Sequence, residues 1–355
     1  MPSSTATVPA TATTTVTLTP AATATARAIS TATPTPSPPA TSSATATATT
    51  TATATATATG TATATASPTP LPVVVEAHGA TMLLVPGDYF VMGVSADVLA
   101  EECSRFGRDC DPLLFAPVQP QHPVRLDSFY VDAYEVSNEA FVDFLDAQGR
   151  RFGACGDHPC IFLEGSRIGR EGNGQYVVEP GFADHPVHSV TWYGAAAFCD
   201  WRGTRLPTEA EWEMAASWEA THNEKRLYPW GNRFDGAVVN FCDASCNQLQ
   251  ANGAYDDGYA ETAPAGSYPG GRSAVGAYDM GGNVWEWVAD WFSPRYYSHS
   301  PQENPQGPAA GQARVLRGGS WFDTGNFTAT VFRTGLPPHR SNDSVGFRCA
   351  WGVGD

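Results

Sequence analysis

Cysteine is the residue type in this sequence with the widest chemical range, because its thiolate can carry out redox chemistry, bind soft metals or form disulfides. The chain has eight cysteines. Six of them form close pairs in segments rich in Gly, Asp or Ser, namely Cys103 and Cys110, Cys155 and Cys160, and Cys242 and Cys246. Cys199 and Cys349 remain. We favour four disulfides formed in an oxidising compartment, although the sequence leaves their connectivity open.

Two alternatives assign metal binding to short motifs. Cys242-x-x-x-Cys246 could give two thiolates to a zinc site, but neither a second such pair nor suitably spaced histidines accompany it. The spacing of His185-x-x-His188 also invites a metal site. Because the surrounding HPV segment looks like a strand, we interpret these two histidines as structural.

Three helices and two strand regions must position these groups. Ser137 caps a helix that ends near Gly149, a second helix covers about 192–202, and a third begins at the capping box of Thr208 and runs to about 216. Two apolar runs around a Pro-Gly turn predict a β-hairpin over 81–93.

The remaining segments are shorter and less regular. Alternation predicts a strand over 122–132, and an irregular loop is expected around Cys103 and Cys110. Trp285, Trp287 and Trp291 alternate with acidic and apolar residues, which favours a strand or turn that buries aromatic rings over a sugar-binding platform. Gly, Pro, Asn and Asp dominate after the third helix. The predicted fold class is α+β, with short strands and much ordered coil.

Residues 1–72 differ in composition from the rest of the chain. They consist almost wholly of Ala, Thr, Ser and Pro, and Arg27 is their only charged residue. A segment with so few large apolar side chains cannot bury enough surface to offset the entropy of ordering its backbone. We therefore predict a disordered stalk over 1–72, with a composition typical of exported and O-glycosylated segments, and one large domain over 73–355.

The charge balance restricts the partners. The formal net charge is −16, and because the stalk carries +1 the domain carries −17. This surplus argues against nucleic acid and anionic membranes as partners, and we expect a monomer. The sequence has no run of about 18 apolar residues that would predict a membrane span. The first residues lack the basic and apolar regions of a signal peptide, so the expectation of a secreted or surface-displayed protein rests on the stalk and the cysteines.

Five short segments follow one another in the second half of the chain. They are RLPTEAEWE at 205–213, YPWG at 228–231, YDMGGNVWEW at 278–287, RGGSW at 317–321 and GFRC at 346–349. Together, and in this order, they resemble the formylglycine-generating-enzyme (sulfatase-modifying factor) family over about residues 80–353. The resemblance implies that family's irregular α+β fold, related to C-type lectins. It also implies a disulfide between Cys199 and Cys349.

The resemblance further implies two structural calcium sites built from hard oxygen ligands. The first would use the side chains of Asp279 and Glu286 with the carbonyl groups of Gly282 and Val284, and the second would use the side chains of Asn240 and Asp257 with the carbonyl groups of Phe241 and Tyr259. Where the family typically has Asn, this chain has Asp279, which is an equally good oxygen donor. Without an ion, these residues would cap turns.

The same resemblance breaks at the catalytic residues. In the family's enzymes, two cysteines that follow the Gly-Gly-Ser segment hold copper(I) and oxidise a substrate cysteine. Asp323 and Thr328 stand at those offsets here, and the stretch 318–333 contains no cysteine. A carboxylate and a hydroxyl are poor copper(I) ligands, so we do not expect copper oxidase activity.

The resemblance also points to a cleft beside these positions. Its candidate residues are Ser320, Asp323, Arg333, His339, Arg340 and Arg348. Each has a structural alternative: Arg348 would be a buried ion-pairing arginine, and Ser320 would satisfy backbone groups. His339 and Asp323 could supply part of a mononuclear iron site, but a second histidine is missing.

Two functions follow from these observations. The first is an exported, calcium-stabilised and non-catalytic binding module that presents the cleft to a peptide or glycan. The second is an oxidoreductase that uses the same cleft with non-haem iron or another substrate. The missing cysteines and the stalk favour the first.

Overall fold

The computed structural model describes residues 73–106, 116–149 and 154–353, and these residues form one compact unit. Three of its four helices match the predicted ones, namely α2 (Asn138–Ala147), α3 (Trp192–Trp201) and α4 (Glu209–Ser217). Ser137 and Thr208 are their N-caps, as predicted, and Thr208 and Glu211 form the complete capping box. None of the described helices is long and apolar enough to cross a membrane.

The first helix was not predicted. α1 covers Ala96–Phe106 and therefore contains Cys103, where we expected an irregular loop. Leu99 and Glu102 are buried on its inner face, and the hydroxyl of Tyr228 donates a 2.6 Å hydrogen bond to Glu102. The helix begins in a segment with an acidic first turn but without a run of apolar residues, so its tertiary contacts determine it more than its sequence pattern does.

The expected hairpin over 81–93 is wrong. Its two halves, β2 (Ala80–Val85) and β3 (Tyr89–Met92), do not pair with each other. β2 pairs with β5 (Phe129–Asp132) and β3 pairs with β4 (His122–Arg125), in the same register on both sides of a short break. The Pro-Gly pair therefore bends one long strand and does not reverse it, and the predicted strand over 122–132 is its partner.

Two four-stranded sheets form the framework. The first has the order β1-β2-β5-β16 and is antiparallel throughout, with β1 at Val74–Ala77 and β16 at Ala350–Gly352. The second sheet consists of β12 (Trp285–Trp291), β13 (Arg314–Arg317), β14 (Arg333–Leu336) and β15 (Val345–Phe347). Their order in the sheet is β14-β13-β12-β15, and only the β12–β15 pair is parallel.

The remaining strands form three short antiparallel pairs. They are β6 (Ala154–Cys155) with β7 (His158–Pro159), β8 (Ile168–Arg170) with β9 (Tyr176–Val178), and β10 (Trp218–Glu219) with β11 (Glu224–Lys225). Coil and turns connect them, as expected for the α+β class.

The tryptophans of β12 belong mainly to the core, as predicted. Trp287 is fully buried, and Trp285 is nearly so. Trp291, at the end of the strand, is partly exposed and packs its ring 3.7 Å from the guanidinium carbon of Arg314. The second sheet therefore packs against helices α3 and α4, and the core extends to α2 and to the first sheet.

Candidate functional site

A cleft of about 330 Å³ opens beside β14, where the candidate residues Ser320 and Asp323 were expected. Aromatic rings make up much of its wall, with polar groups at Thr334, Asn342 and Ser344. The lining rings are those of Trp285, Phe322, Phe327 and Phe332. The Phe327 and Phe332 rings are 4.5 Å apart in an edge-to-face arrangement, and the Phe332 and Trp285 rings are 5.9 Å apart and tilted. Three of the lining rings therefore pack against one another.

The loop that carries Asp323 is set by a pair of glycines. Gly318 and Gly319 have φ values of +97° and +73°. A Cβ atom at Gly319 would lie 2.7 Å from the carbonyl oxygen of Phe327, so only glycine allows this close approach. The loop is also tied to the protein behind it, because the backbone N–H of Cys242 donates a 2.9 Å hydrogen bond to the Asp323 carbonyl oxygen.

Asp323 is the only charged residue among the described residues that line the cleft. Two donors reach its Oδ2 atom: the Ser320 hydroxyl at 2.5 Å and the Trp285 indole N–H at 2.8 Å. Burial raises the pKa of the Asp323 carboxyl, and these hydrogen bonds partly offset the rise. Its second oxygen, Oδ1, can accept a hydrogen bond from a ligand.

Thr328, at the second position that carries a cysteine in the copper enzymes, has a different environment. It is fully buried, and its hydroxyl donates a 2.7 Å hydrogen bond to the carbonyl oxygen of Gly325 within the 3₁₀ helix Gly325–Thr328. It does not line the cleft. The residues at the two cysteine positions therefore differ in chemistry and also in exposure.

The structure separates the other predicted cleft residues. Arg333 is buried away from the cleft and forms a two-point ion pair with Glu209, at 2.5 and 2.7 Å. His339 and Arg340 are exposed on the loop after β14 and do not line the cleft. Of the predicted candidates, only Asp323 lines the cleft, and the buried Ser320 contacts it through a hydrogen bond.

Arg333 belongs to a buried charge cluster that includes α4. Arg317 donates to Glu209 at 3.2 Å and to Glu213 at 2.6 Å, and Lys225 also pairs with Glu213. The two arginines and Lys225 lower the energy of the ionised carboxylates, and the pKa of Glu213 falls to about 2, with Lys225 and Arg317 outweighing the effect of burial.

Asp290 lies at the edge of this charge cluster. Its Oδ2 atom accepts the backbone N–H of Glu209 at 2.7 Å, at the first turn of α4. Burial and the neighbouring carboxylate of Glu209 raise the pKa of Asp290 to about 8, whereas the Glu209 backbone N–H and Arg333 act in the opposite direction. The charged and titratable groups around it are those of Glu209, Glu211, Tyr296, Arg314 and Arg333.

The residues of the first predicted calcium site are close together but partly engaged. Both oxygens of the buried Glu286 carboxylate accept from Arg348, at 2.7 and 2.8 Å, as the structural alternative for Arg348 predicted. Trp212 donates a third bond at 2.7 Å. Asp279 has a φ of +55° and accepts the backbone N–H of Gly266 at 2.6 Å.

A third carboxylate, which the sequence did not reveal, joins this group. Glu135 is buried and accepts hydrogen bonds from the Asn283 side chain at 2.6 Å and from the Val284 N–H at 3.2 Å. Burial, followed by the charges of Asp279 and Glu286, raises its pKa well above the ordinary value. Three carboxyl groups thus lie near one guanidinium, that of Arg348, which already pairs with Glu286.

The second predicted calcium site fits in a different way. Asn240 is buried, and its Oδ1 atom has no hydrogen-bond partner, whereas its amide nitrogen donates to the Glu261 carbonyl at 2.9 Å and to Asn283 Oδ1 at 3.1 Å. A buried oxygen without a partner is costly unless an ion or water fills its place. Asp257 accepts from the Tyr259 N–H at 2.8 Å and from the Tyr268 hydroxyl at 2.6 Å. This site offers calcium a free oxygen.

The cysteines of the described residues form disulfides and do not bind zinc. Cys155–Cys160, Cys199–Cys349 and Cys242–Cys246 are bonded. The predicted Cys103–Cys110 pair cannot be described, because Cys110 lies outside the described residues. The Cys199–Cys349 bond matches the pairing that the family resemblance implied.

The two histidines of the HPV segment are buried in coil, not in a strand. His185 lies 3.1 Å from the Thr262 hydroxyl, and burial lowers the pKa of His188 to about 4. Throughout the described ranges, no group of three or more His, Cys, Asp or Glu side chains is arranged to hold a metal ion.

Comparisons with known proteins agree with this fold and these motifs. The family model described as FGE-sulfatase, the sulfatase-modifying factor enzyme 1-like domain, matches residues 69–353. The chain belongs to this family. It is 36% identical to a formylglycine-generating enzyme of Streptomyces coelicolor, over 65% of this chain and 80% of that protein.

Two further proteins are similar to this chain, one in sequence and one in fold. The chain is 41% identical to the serine/threonine-protein kinase pkn1 of Chlamydia caviae over 66% of its own length, but it spans only 34% of that protein. The solved structure of PvdO from Pseudomonas aeruginosa covers 78% of this chain and 95% of its own chain, with 22% identity and a TM-score of 0.56, which is a likeness of fold alone.

The family model locates the framework, but the composition of the cleft depends on residues that sequence motifs did not single out. Phe322, Phe327 and Phe332 line it, and none belongs to a family segment named above. Their spacing of five residues along an irregular stretch carries no helix or strand period, so no pattern marks them. Trp285 was assigned to the core, and its ring is buried, but its indole N–H also holds Asp323.

Proposed function

We propose that this chain is an exported, calcium-stabilised binding module of the sulfatase-modifying factor family, and that its cleft binds a side chain of a peptide and does not oxidise a cysteine. The observation that carries the proposal is the pair at the copper positions. Asp323 presents a carboxylate at the cleft, and Thr328 turns its hydroxyl into the protein. Neither group supplies the soft thiolate that copper(I) needs, so the residues do not fit copper.

The shape of the cleft supports binding. At about 330 Å³ it lies at the lower end of the range of ligand pockets, about 300–1,000 Å³, so it suits a single side chain. Apolar walls with a few convergent polar groups are typical of such pockets. Because these walls are mainly rings and aliphatic side chains, we favour a peptide over a glycan as the ligand.

Export and calcium complete the proposal. Disulfides persist in oxidising compartments, and three are present within the described residues. Calcium at the Asn240 and Asp257 site would join the segments 240–241 and 257–259. The ion would also give the Asn240 Oδ1 atom, which has no hydrogen-bond partner, a positive charge to coordinate. At the first predicted site, calcium would favour the ionised forms of Glu135 and Asp279, whose pKa values burial raises.

Peptide and glycan arrays probed with the full chain, in calcium and in a chelator, test this function. We expect peptide binding that needs calcium and that Asp323→Ala abolishes. The control is Asp343→Ala, because Asp343 is an exposed carboxylate between the lining residues Asn342 and Ser344 but does not itself line the cleft. Silence on the peptide array, or peptide binding that Asp323→Ala leaves intact, would remove the cleft as the binding site.

A second candidate is an oxidoreductase that uses another metal in the same cleft. The identity to a protein named formylglycine-generating enzyme favours it. It predicts stoichiometric iron or copper in the purified chain and oxygen uptake with candidate substrates, both lost on Asp323→Ala. If plasma mass spectrometry detects calcium alone, the binding module remains the better account.

A further inference from the structure

Among the described residues, the carboxylate of Asp323 has no cationic partner. No lysine, arginine or histidine is among the described residues that line the cleft, and no ion pair within the described ranges involves Asp323. Other buried carboxylates of the chain, such as Glu209, Glu213 and Glu286, each pair with an arginine. A partly buried carboxylate without a counter-ion is costly, and burial accordingly raises the pKa of Asp323.

The rings around Asp323 have the composition that favours a cation. Aromatic faces carry negative potential and attract an ammonium or guanidinium group within about 6 Å of the ring centre. Four aromatic side chains line the cleft, and Phe322 is 41% exposed, at the mouth. The three inner rings lie at steep angles to one another, so a group in the cleft would meet more than one of them.

We propose that the cleft binds a cationic side chain, an alkylammonium or guanidinium group, with Asp323 as its counter-ion and the aromatic wall as its cation–π partner. This inference rests on the proposed function, because it specifies the chemical class of the ligand at the same cleft. The chain's net charge of −16 would favour the approach of a positively charged ligand.

Other ligand classes fit less well. A calcium or iron ion needs several oxygen or nitrogen ligands, whereas Asp323 is the only carboxylate of the lining and no histidine accompanies it among the described residues. An anionic ligand would be repelled by Asp323. A neutral apolar side chain would fill the cleft but would leave the carboxylate without a counter-ion.

The test compares two probes that differ in charge. N-acetyl-lysine methylamide carries the ammonium group, and N-acetyl-norleucine methylamide keeps the same four-carbon chain but lacks that group. Each probe is titrated into the full chain at millimolar concentration. The NMR signal of the Trp285 indole N–H, assigned with Trp285→Phe, reports occupancy next to Asp323. We expect the lysine probe to bind about tenfold more tightly than the norleucine probe.

Variants then locate the charge effect. Asp323→Asn keeps an oxygen for the Ser320 and Trp285 donors, and it should reduce the lysine probe's affinity about tenfold while leaving that of the norleucine probe unchanged. The control Asp343→Asn should change neither. If Asp323→Asn fails to fold, Phe322→Leu, at a ring that is largely outside the core, should weaken the lysine probe more than the norleucine probe.

The outcomes separate this inference from the proposed function. Equal affinity for the two probes, or full lysine binding by Asp323→Asn, would show that the cleft binds side chains without selecting a cation, which overturns the inference and leaves the binding module standing. If neither probe shifts the Trp285 signal, the inference also fails, and the peptide array decides the binding module independently.

Discussion

Removal of the Cys199–Cys349 disulfide should destabilise the protein far more than removal of the Cys242–Cys246 disulfide. In the chain-entropy model, a cross-link stabilises by restricting the unfolded state, and its effect grows with the length of the closed loop. The first bond links residues 150 apart, which corresponds to about 5 kcal/mol. The second links residues only 4 apart, which corresponds to about 2 kcal/mol.

The two pairs form a matched comparison. All four sulfur-bearing side chains are buried, so replacing them with alanine removes similar packing in each case. We expect guanidinium denaturation of the Cys199→Ala/Cys349→Ala variant to give an unfolding free energy about 3 kcal/mol lower than that of Cys242→Ala/Cys246→Ala. Its m-value should also rise, because the unfolded chain expands once the long loop is released.

The reasoning would be refuted if the two double variants lost the same stability. That result would mean that the disulfides act through local native contacts and not through loop closure. Because the Cys242 backbone also holds the Asp323 loop at 2.9 Å, a local effect would appear as weaker ligand binding by the Cys242→Ala/Cys246→Ala variant.

Three further perturbations have expected outcomes. Thr208→Ala should lower the unfolding free energy by about 1 kcal/mol and Thr208→Ser should restore it, because Thr208 caps α4; equal stability of the two variants in urea denaturation would exclude the cap. Chelation of calcium should lower the melting temperature of the wild type more than that of Asn240→Ala, which keeps only the other proposed calcium site, measured by calorimetry with and without added calcium; equal chelator shifts would argue against an ion at Asn240. The pKa of Asp290 is about 8 in the folded protein, compared with 3.8 in the unfolded chain. The protonated carboxyl therefore contributes fully to the free energy of unfolding below pH 4, and this contribution is lost as the pH rises through 8. Asp290→Asn should reduce the slope of the free energy of unfolding against pH by up to about 1.4 kcal/mol per pH unit, measured by denaturation at pH 5 to 8. Parallel slopes for the wild type and the variant would contradict the raised pKa.

Helix boundaries were predictable because their signals are local. Ser137 and Thr208 place a side-chain oxygen beside orphan N–H groups, and the bonds that they make are within three residues of the cap. The strands were less predictable. The Pro-Gly pair after β2 is compatible with a turn or with a bend, and the choice depends on β4 and β5, which lie about 40 residues further along the chain.

The difference between local and long-range contacts also explains which predicted residues lie at the cleft. Ser320 and Asp323 are three residues apart, so their contact follows from a tight loop. Arg333 was expected at the cleft but pairs with Glu209, a residue 124 positions away. Such a pairing depends on how α4 packs against β14, and no spacing in the sequence reports it.

The distribution of buried charge suggests why the cleft can change its chemistry without loss of the fold. Helix α4 directs three glutamates to different basic partners: Glu209 to Arg333, Glu211 to Arg205, and Glu213 to Arg317 and Lys225. The Glu209–Arg333 and Glu213–Arg317 pairs join α4 to β14 and β13, and breaking either would leave an uncompensated buried charge. Asp323 takes part in none of them, because it lies on a loop held by backbone hydrogen bonds and two glycines. A thiolate, a carboxylate or another side chain can therefore occupy that loop position while the framework stays intact, as is expected when function depends on a site carried by a stable fold.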